Sequence, residues 1–348
     1  MALSKNDLVQ LGKIVMSANP SAPTAYSFNG SNLTYEGVSE TLREELNALA
    51  SSHAMYRENK NLIFSIMEEI LDDVIPAKVK DRYADLAEVK VFGQGDKPEF
   101  KRNRTNNRRA KQFITRVGLA GRYEVFKLGA RTESFQVPTS ALGGAAQIGF
   151  EEYLDGRIDM AEVLNIVLEG IDETIQAEVV HAMEGAINQL PEANRVSING
   201  WDEAAMDSLV AIARSYGVPV IYCTQEFANR MIPAEAWATE AMKNAIWNNG
   251  WLGNYKGTKV IILEQSFTDE TNSKKVVNPA HAWVIPTSAN GKPVYVAMEG
   301  NTLMKEHEND DWSRDIQVYK KVGVVAMLNN SICHYFDSSL DIDADVNE

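Results

Sequence analysis

The longest periodic segment of the sequence spans residues 159–190 and reads DMAEVLNIVLEGIDETIQAEVVHAMEGAINQL. Apolar residues recur in it every three or four positions, the spacing that lines one face of an α-helix. They are Met160, Leu164, Leu168, Ile171, Ile175, Val179, Ala182, Ala186 and Leu190. Asp159 is suited to cap the first turn, with Glu162 three residues later, and Pro191 ends the pattern. At about 1.5 Å per residue, the segment predicts a helix roughly 45–50 Å long that lies across one face of a sheet.

A strongly basic segment precedes this helix, between Lys97 and Arg131. It contains eleven lysines and arginines and only two carboxylates, Glu99 and Glu124, so its net charge is +9. Because the whole chain carries −14, the remaining residues carry −23. The eleven basic residues are Lys97, Lys101, Arg102, Arg104, Arg108, Arg109, Lys111, Arg116, Arg122, Lys127 and Arg131. This distribution indicates a cationic projection on an otherwise anionic body.

The residues around and within the basic segment have the pattern of strands. Val89 and Val91 alternate with polar or charged neighbours, as do Tyr123 and Val125. The asparagine-rich stretch at 103–107 predicts a turn between them. We therefore expect the region to form an extended β-hairpin.

The N-terminal third combines an irregular segment with a helical one. Residues 1–36 mix polar residues with Gly, Pro and Ser, which predicts an extended arm with one short helix. Residues 37–74 have helical periodicity. We expect that helix to end at Ile75-Pro76, because proline disfavours the helical conformation in the residue before it.

The C-terminal part has the alternation of helices and strands that is typical of an α/β lobe. The predicted elements are a helix capped by Asp202 and ended by Gly217, a strand at Val218–Cys223, a helix at Ala234–Asn249 closed by Gly250, strands at Lys259–Leu263, Ala282–Ile285 and Val294–Ala297 with a tight turn at Asn290-Gly291, and a strand-rich segment at Ile316–Tyr335. The acidic residues that follow predict a disordered tail.

The sequence lacks the common signatures of catalysis and of cofactor binding. It has no phosphate-binding loop and no nucleophile elbow, and its five histidines are scattered. Cys223 and Cys333 are expected to be small buried hydrophobes. The sequence contains no run of about 18 apolar residues, so it predicts no membrane span. We therefore predict no catalytic residue, no metal site and no cofactor.

The basic segment has two functional interpretations besides that of a solvated hairpin. It can neutralise phosphates in nucleic acid, although its aromatic residues are too sparse for a base-stacking platform. It can also bind an anionic neighbour, and identical copies of the chain provide one. Complementary patches at different places on one subunit give head-to-tail contacts that build rings or shells.

The order of parts resembles that of the major capsid proteins of tailed phages, a fold shared with encapsulin shells and herpesvirus capsid floors. Three stretches carry the likeness within residues 75–336. IPAKVKDR at 75–82, leading into VKVFG at 89–93, resembles the start of the extended loop. YGVPVIYCT at 216–224 resembles the first helix-to-strand step of the apical domain, and YKKVGVVA at 319–326 the returning peripheral strand.

The resemblance implies an α+β capsid fold with defined parts. They are an N-terminal arm at 1–50, a peripheral domain at 51–87 and 305–336, an extended loop at 88–150, a spine helix at 151–192, an α/β apical domain at 193–304 and an acidic tail at 337–348. The implied site is the intersubunit contact of the loop, formed by Lys101, Arg102, Arg104, Arg108 and Arg109.

The resemblance also implies a structural role and a set of partners. We expect identical subunits in hexamers and pentamers, a separate scaffolding protein and a portal, packaged DNA with little specific contact, and no membrane. The expected location is the virion capsid, assembled in the host cytoplasm. Three alternatives remain open: an encapsulin-type compartment, an α/β enzyme of unrecognised class, and a nucleic-acid-binding protein that uses the basic segment.

Overall fold

The computed structural model describes residues 4–17, 26–28, 31–84, 86–103, 132–148, 160–232, 239–267, 269, 271–287, 292–308 and 314–342. The chain divides into two compact units. Unit 1 comprises Met1–Pro98, Gln136–Ile175 and Tyr295–Val324, and unit 2 comprises Glu99–Phe135, Gln176–Val294 and Val325–Glu348. Within the described ranges, no helix is both long and apolar enough to cross a membrane.

The described elements mix helices and strands, which confirms the predicted α+β class. The helices are α1 Lys5–Ser17, α2 Tyr35–Leu49, α3 His53–Arg82, α4 Met160–Gly185, α5 Glu203–Arg214, α6 Gln225–Arg230 and α7 Glu240–Asn249. The strands are β1 Tyr26–Phe28, β2 Ser31–Leu33, β3 Ala87–Phe92, β4 Glu99–Asn103, β5 Thr132–Gln136, β6 Ser140–Ile148, β7 Arg195–Ile198, β8 Val218–Cys223, β9 Asn254–Tyr255, β10 Thr258–Ile262, β11 His281–Thr287, β12 Val294–Glu308, β13 Arg314–Ala326 and β14 Cys333–Asp337.

The start of unit 1 contains the one short helix that the sequence predicts for the N-terminal segment. α1 buries Leu8, Leu11 and Val15 on one face and contacts α2 and α3. Lys5 reinforces this packing with an ion pair to Glu69 of α3, 3.1 Å long. The predicted short helix is therefore confirmed. Its short apolar stripe is enough because neighbouring helices cover it.

The helical stretch predicted at 37–74 is two helices, and the second continues past its predicted end. Ser52 separates them and caps α3, since its hydroxyl accepts a hydrogen bond from the Met55 amide at 3.3 Å. α3 runs through Pro76 to Arg82. Ile75 and Val79 on either side of the proline are buried. Their packing outweighs the one backbone hydrogen bond that the proline removes.

Unit 1 contains a four-stranded sheet with the order β3-β12-β13-β6. α3 is joined to its strand β12 by two carboxylates one turn apart. Asp72 accepts hydrogen bonds from the amide and hydroxyl of Thr302, at 2.6 and 2.7 Å, and Glu68 accepts one from the Met304 amide at 2.7 Å. These hydrogen bonds tie backbone amides of the strand to side chains of the helix.

A buried lysine completes this junction. Lys320 on β13 is 1% exposed, and its ammonium lies 2.7 Å from Asp72 and 3.1 Å from the carbonyl of Gly300. Such a charge is tolerated in the interior only when it is both paired and hydrogen-bonded. α3, β12 and β13 are therefore held together by one electrostatic cluster.

Unit 2 contains a six-stranded mixed sheet with the order β7-β14-β11-β8-β10-β9. β8 pairs in parallel with β10, and β14 pairs in parallel with β7. Leu209 and Ala213 of α5 pack with Ile221, Val284 and Tyr335 of the sheet in one buried cluster. The predicted α/β lobe is confirmed in its main elements, including the Asp202 cap of α5 and the left-handed Gly250 (φ 81°) that ends α7.

Two predicted connections differ from the structure. β11 lies in the six-stranded sheet and β12 in the four-stranded one, so these strands do not form the expected hairpin. The turn at Asn290-Gly291 lies outside the described residues. The segment 305–336, expected in the peripheral domain, also divides: β13 joins the four-stranded sheet, whereas β14 lies between β7 and β11.

The spine helix is α4, and its apolar stripe is confirmed. Leu164, Leu168, Ile175 and Val179 are all buried. With 26 residues its length is about 39 Å at 1.5 Å per residue, shorter than predicted. The helix ends at Gly185, and a 3₁₀ turn at Ile187–Gln189 carries the chain to Leu190. The predicted cap, Asp159, lies outside the described residues.

Replacing Lys320 by methionine should destabilise the subunit strongly. The substitution leaves the Asp72 carboxylate without its cation in a largely buried setting, at a cost of about 3 kcal/mol in the free energy of unfolding. The matched control is Lys5→Met, which removes the half-exposed pair with Glu69 and should cost under about 1 kcal/mol. Urea denaturation of the unassembled subunit measures both, and equal losses would contradict the role assigned to Lys320.

Candidate intersubunit contact site

The structure places two of the five predicted contact residues. Lys101 and Arg102 lie on β4, which pairs with β5 in a two-stranded sheet. The other three, Arg104, Arg108 and Arg109, lie outside the described residues. The described site is therefore the stem of the predicted loop, and the role of all five residues stays a prediction.

The two strands of the stem are joined on one face by a ring contact and an ion pair. Phe100 is fully buried and stacks on Phe135, with ring centroids 6.1 Å apart and planes inclined by 20°. Arg102 lies 3.5 Å from Glu133 across the strand pair. Because successive side chains of a strand point to opposite faces, Lys101 points away from this packing, and it is exposed.

The carboxylate of Glu299 on β12 binds residues on both sides of the β4–β5 strand pair. Thr139, which follows β5, donates a hydrogen bond to it at 2.6 Å. The Gly95 amide, which precedes β4, donates one at 3.1 Å. Lys321 lies 3.3 Å away. Glu299 itself is only 7% exposed, so one nearly buried side chain fixes both ends of the predicted projection.

These contacts set the charge state of Glu299. The hydrogen bond from Thr139, the Gly95 amide and Lys321 together lower the pKa of Glu299 below its ordinary value. The group is therefore ionised at neutral pH and keeps its three partners. The sequence analysis missed this residue, and the available signal was an acidic residue directly after the apolar run 294–298.

Two of the five histidines, scattered in the sequence, meet in the six-stranded sheet. Nδ1 of His281 and Nε2 of His334 are 2.8 Å apart, and Nε2 of His281 is 3.7 Å from a Glu184 oxygen. Burial, and secondarily His281, lowers the pKa of His334 to about 3. His334 is therefore neutral at neutral pH. The hydrogen-bonded pair forms part of the sheet face, where Trp283 packs on His334.

No metal centre is found in the described part of the chain. Among those residues no group of three or more His, Cys, Asp or Glu side chains could hold an ion. Burial raises the pKa of both Cys223 and Cys333 to about 12. Both thiols therefore stay protonated and act as apolar core groups.

The comparisons with known proteins identify the class of protein. The family model described as "SPbeta prophage-derived putative capsid protein YonB" matches residues 10–334. This match covers most of the sequence, including both sheets and the spine helix, and it defines a phage capsid protein. The chain belongs to this YonB capsid protein family. The predicted resemblance to phage capsid proteins is thereby confirmed.

Three of the solved structures that match come from two phages and a virus-like particle. A structure from Microbacterium phage Oxtober96 matches with a TM-score of 0.49 at 10% identity, covering 72% of this chain and 89% of that one. The acid-stable capsid of Helicobacter pylori bacteriophage KHP30 gives 0.49 at 12% identity, covering 73% and 90%. A virus-like particle from Pyrococcus furiosus gives 0.42 at 12%, covering 77% and 98%. The search of curated proteins returned no match.

Family membership states what the protein is at a coarse level. It is a structural subunit of a phage capsid, and its place is the capsid of the virion.

The anchoring role of Glu299 predicts a defined pH dependence. A carboxyl group with a lowered pKa in the folded state stabilises the fold above its unfolded pKa, near 4.5, and this contribution is lost as the pH falls through the folded-state pKa. Glu299→Gln should therefore lower the free energy of unfolding at pH 7, and the deficit relative to wild type should shrink toward pH 3.

The control for this experiment is Glu58→Gln, at an exposed position of α3. It should change stability little at either pH, as surface substitutions usually do. A Glu299→Gln deficit that is the same at pH 7 and pH 3, measured by urea denaturation, would show that the carboxylate charge is not what holds the ends of the loop.

Proposed function

We propose that the protein is the repeating subunit of the icosahedral head shell of a tailed phage and encloses its DNA genome. The observation that carries this proposal is the match of the YonB capsid family to residues 10–334. A role confined to the shell requires no catalytic group, and we propose that the protein is not an enzyme.

The proposed assembly contact uses the extended loop, at about 88–135. It reaches over the adjacent copy, where Lys101, Arg102, Arg104, Arg108 and Arg109 meet carboxylates. Two observations support this contact. The segment 97–131 carries +9 against −23 for the rest of each copy. Lys101 at the stem is exposed, on the face opposite the buried Phe100.

The charges orient the copies, and apolar burial supplies most of the association energy. Exposed ion pairs contribute roughly 0–1 kcal/mol each and weaken with salt. They accelerate and steer encounters more than they tighten the complex. Many such weak contacts, repeated around a closed lattice, give a stable shell in which no single interface is strong.

The fold supplies the rigidity that such a lattice needs. Within unit 1, Glu299 accepts hydrogen bonds from the Gly95 amide, before β4, and from the Thr139 hydroxyl, after β5. Gln176 of α4 is buried in unit 2, where its side chain donates to the Glu264 carbonyl at 2.7 Å and accepts from Ser266 at 3.0 Å. The spine helix is thereby fixed to its surroundings by specific hydrogen bonds as well as by its apolar stripe.

The partners follow from this role. We propose identical copies in hexamers and pentamers, a separate scaffolding protein and a portal, and assembly in the host cytoplasm. The net charge of −14 suits an inner surface that holds packaged DNA loosely, because like charges repel.

Reversing the charge at the loop tip tests the proposed contact. The triple variant Arg104→Glu, Arg108→Glu and Arg109→Glu should fold but fail to form shells, because its projection no longer attracts the anionic neighbour. Sedimentation velocity and negative-stain electron microscopy distinguish particles from the 38.6 kDa subunit.

The matched control is Lys80→Glu, Lys243→Glu and Lys259→Glu, which makes the same change in net charge at exposed positions outside the loop. It should still assemble. Normal shells from the loop variant, or equal failure of both variants, would contradict a specific role for the loop. Wild-type particles that contain cargo enzyme instead of DNA would favour the encapsulin-type alternative.

A further inference from the structure

Strand β6 is an edge strand without the usual protection against pairing. Its nine residues, Ser140–Ile148, pair antiparallel with β13 along their whole length. β6 is the last strand in the order β3-β12-β13-β6. Its other side therefore presents backbone donors and acceptors that no described strand takes up. Edges of this kind are templates for adding another strand.

The other edges of the two large sheets are protected. β3, at the opposite edge of the same sheet, carries the charged residues Glu88 and Lys90. In the six-stranded sheet, β9 is only two residues long and β7 begins with the exposed Arg195. Charges and short length are the devices that prevent unwanted pairing. β6 reads SALGGAAQI, with no charge and no proline, and is the longest of the four.

The side chains of β6 leave room for a second backbone. Ser140, Ala141 and residues 143–145 are exposed and small. Gly143 is required by its own sheet, since a Cβ there would lie 2.9 Å from the Val318 carbonyl oxygen. Neither space nor backbone conformation requires a glycine at position 144. A Cβ added to Gly144 would meet nothing within 4 Å, and its φ lies outside the left-handed region.

An unexplained glycine within a strand is informative. Glycine there costs roughly 0.5–1 kcal/mol relative to alanine, and it often marks a place where another backbone approaches closely. The described part of the subunit does not require Gly144 to lack a side chain. A glycine at this position leaves room for the backbone of another chain to approach β6.

We propose that β6 receives an extended strand from a second copy of this chain, so that the four-stranded sheet continues across the subunit boundary. The occupant is a second copy because a capsid subunit is surrounded by identical chains, and in this respect the inference rests on the proposed function. The added strand lies about 4.8 Å from β6 and takes up its outward amides and carbonyls. This contact is independent of the basic loop tip.

Hydrogen exchange tests the inference directly. Amide exchange is compared between unassembled wild-type subunits and purified shells, using peptides that cover 140–148 and, as the control edge, 87–92. Exchange at 140–148 should slow by at least about tenfold on assembly, because each outward amide gains a hydrogen bond. Exchange at 87–92 should change less.

Two proline variants provide a second test. Successive amides of an antiparallel strand point to opposite edges, so one of Gly144→Pro and Ala145→Pro removes a bond to β13 and the other affects only the open edge. Thermal denaturation of the unassembled subunit distinguishes the two variants, because the one that loses the bond to β13 is the less stable. The variant that keeps wild-type stability should nevertheless lose shell formation.

The outcomes separate this inference from the proposed function. Shells whose 140–148 amides exchange as fast as in free subunits would overturn the inference and leave the shell function intact. A stable proline variant that assembles normally would do the same. Wild-type protein that forms no particles under any condition would overturn the proposed function itself.

Discussion

The carboxylate of Glu299 is the constraint on which the candidate contact site depends. It binds the Gly95 amide before β4, the Thr139 hydroxyl after β5 and the Lys321 ammonium from the neighbouring strand. A long hairpin anchored at one end only would sample many directions, and ordering it on a neighbour would cost conformational entropy. Fixing both ends in a rigid sheet reduces that cost before any second copy arrives.

The sheet that carries Glu299 is itself held by charge in a buried setting. Lys320 and the carboxylate of Asp72 join two strands to α3. An isolated charge in this position would be strongly unfavourable, so the pair makes the arrangement all-or-none. The sheet that carries Glu299 is thus held to α3 by an ion pair with a buried lysine.

Periodic local signals were readable from the sequence. The spine helix followed from apolar spacing at Leu164, Leu168, Ile175 and Val179, and the end of α7 followed from Gly250, because these depend on neighbours within a few residues. The position of the short N-terminal helix could not be predicted, because the stripe of Leu8, Leu11 and Val15 is short and depends on the α2 and α3 surfaces that cover it. Pro76 was misjudged for a related reason, since tertiary packing overrides its local preference.

The anchoring of the candidate site could not be predicted, since its contacts join distant parts of the chain. Thr139 and Glu299 are 160 residues apart in sequence, and Asp72 and Lys320 are 248 apart. No local pattern reports such pairs. The exchange between sheets after β11 was missed for the same reason, because alternation specifies a strand but not its partner. The basic residues of the loop were visible in the sequence as a local excess of positive charge, whereas a sequence pattern does not identify the groups that they bind.

A cryo-electron microscopy reconstruction of the purified, assembled protein is the most direct test of this account. It should show a closed shell in which residues 104–131 of each copy lie against carboxylates of an adjacent copy. A shell in which this segment folds back onto its own subunit, or a preparation that holds only single subunits, would contradict it.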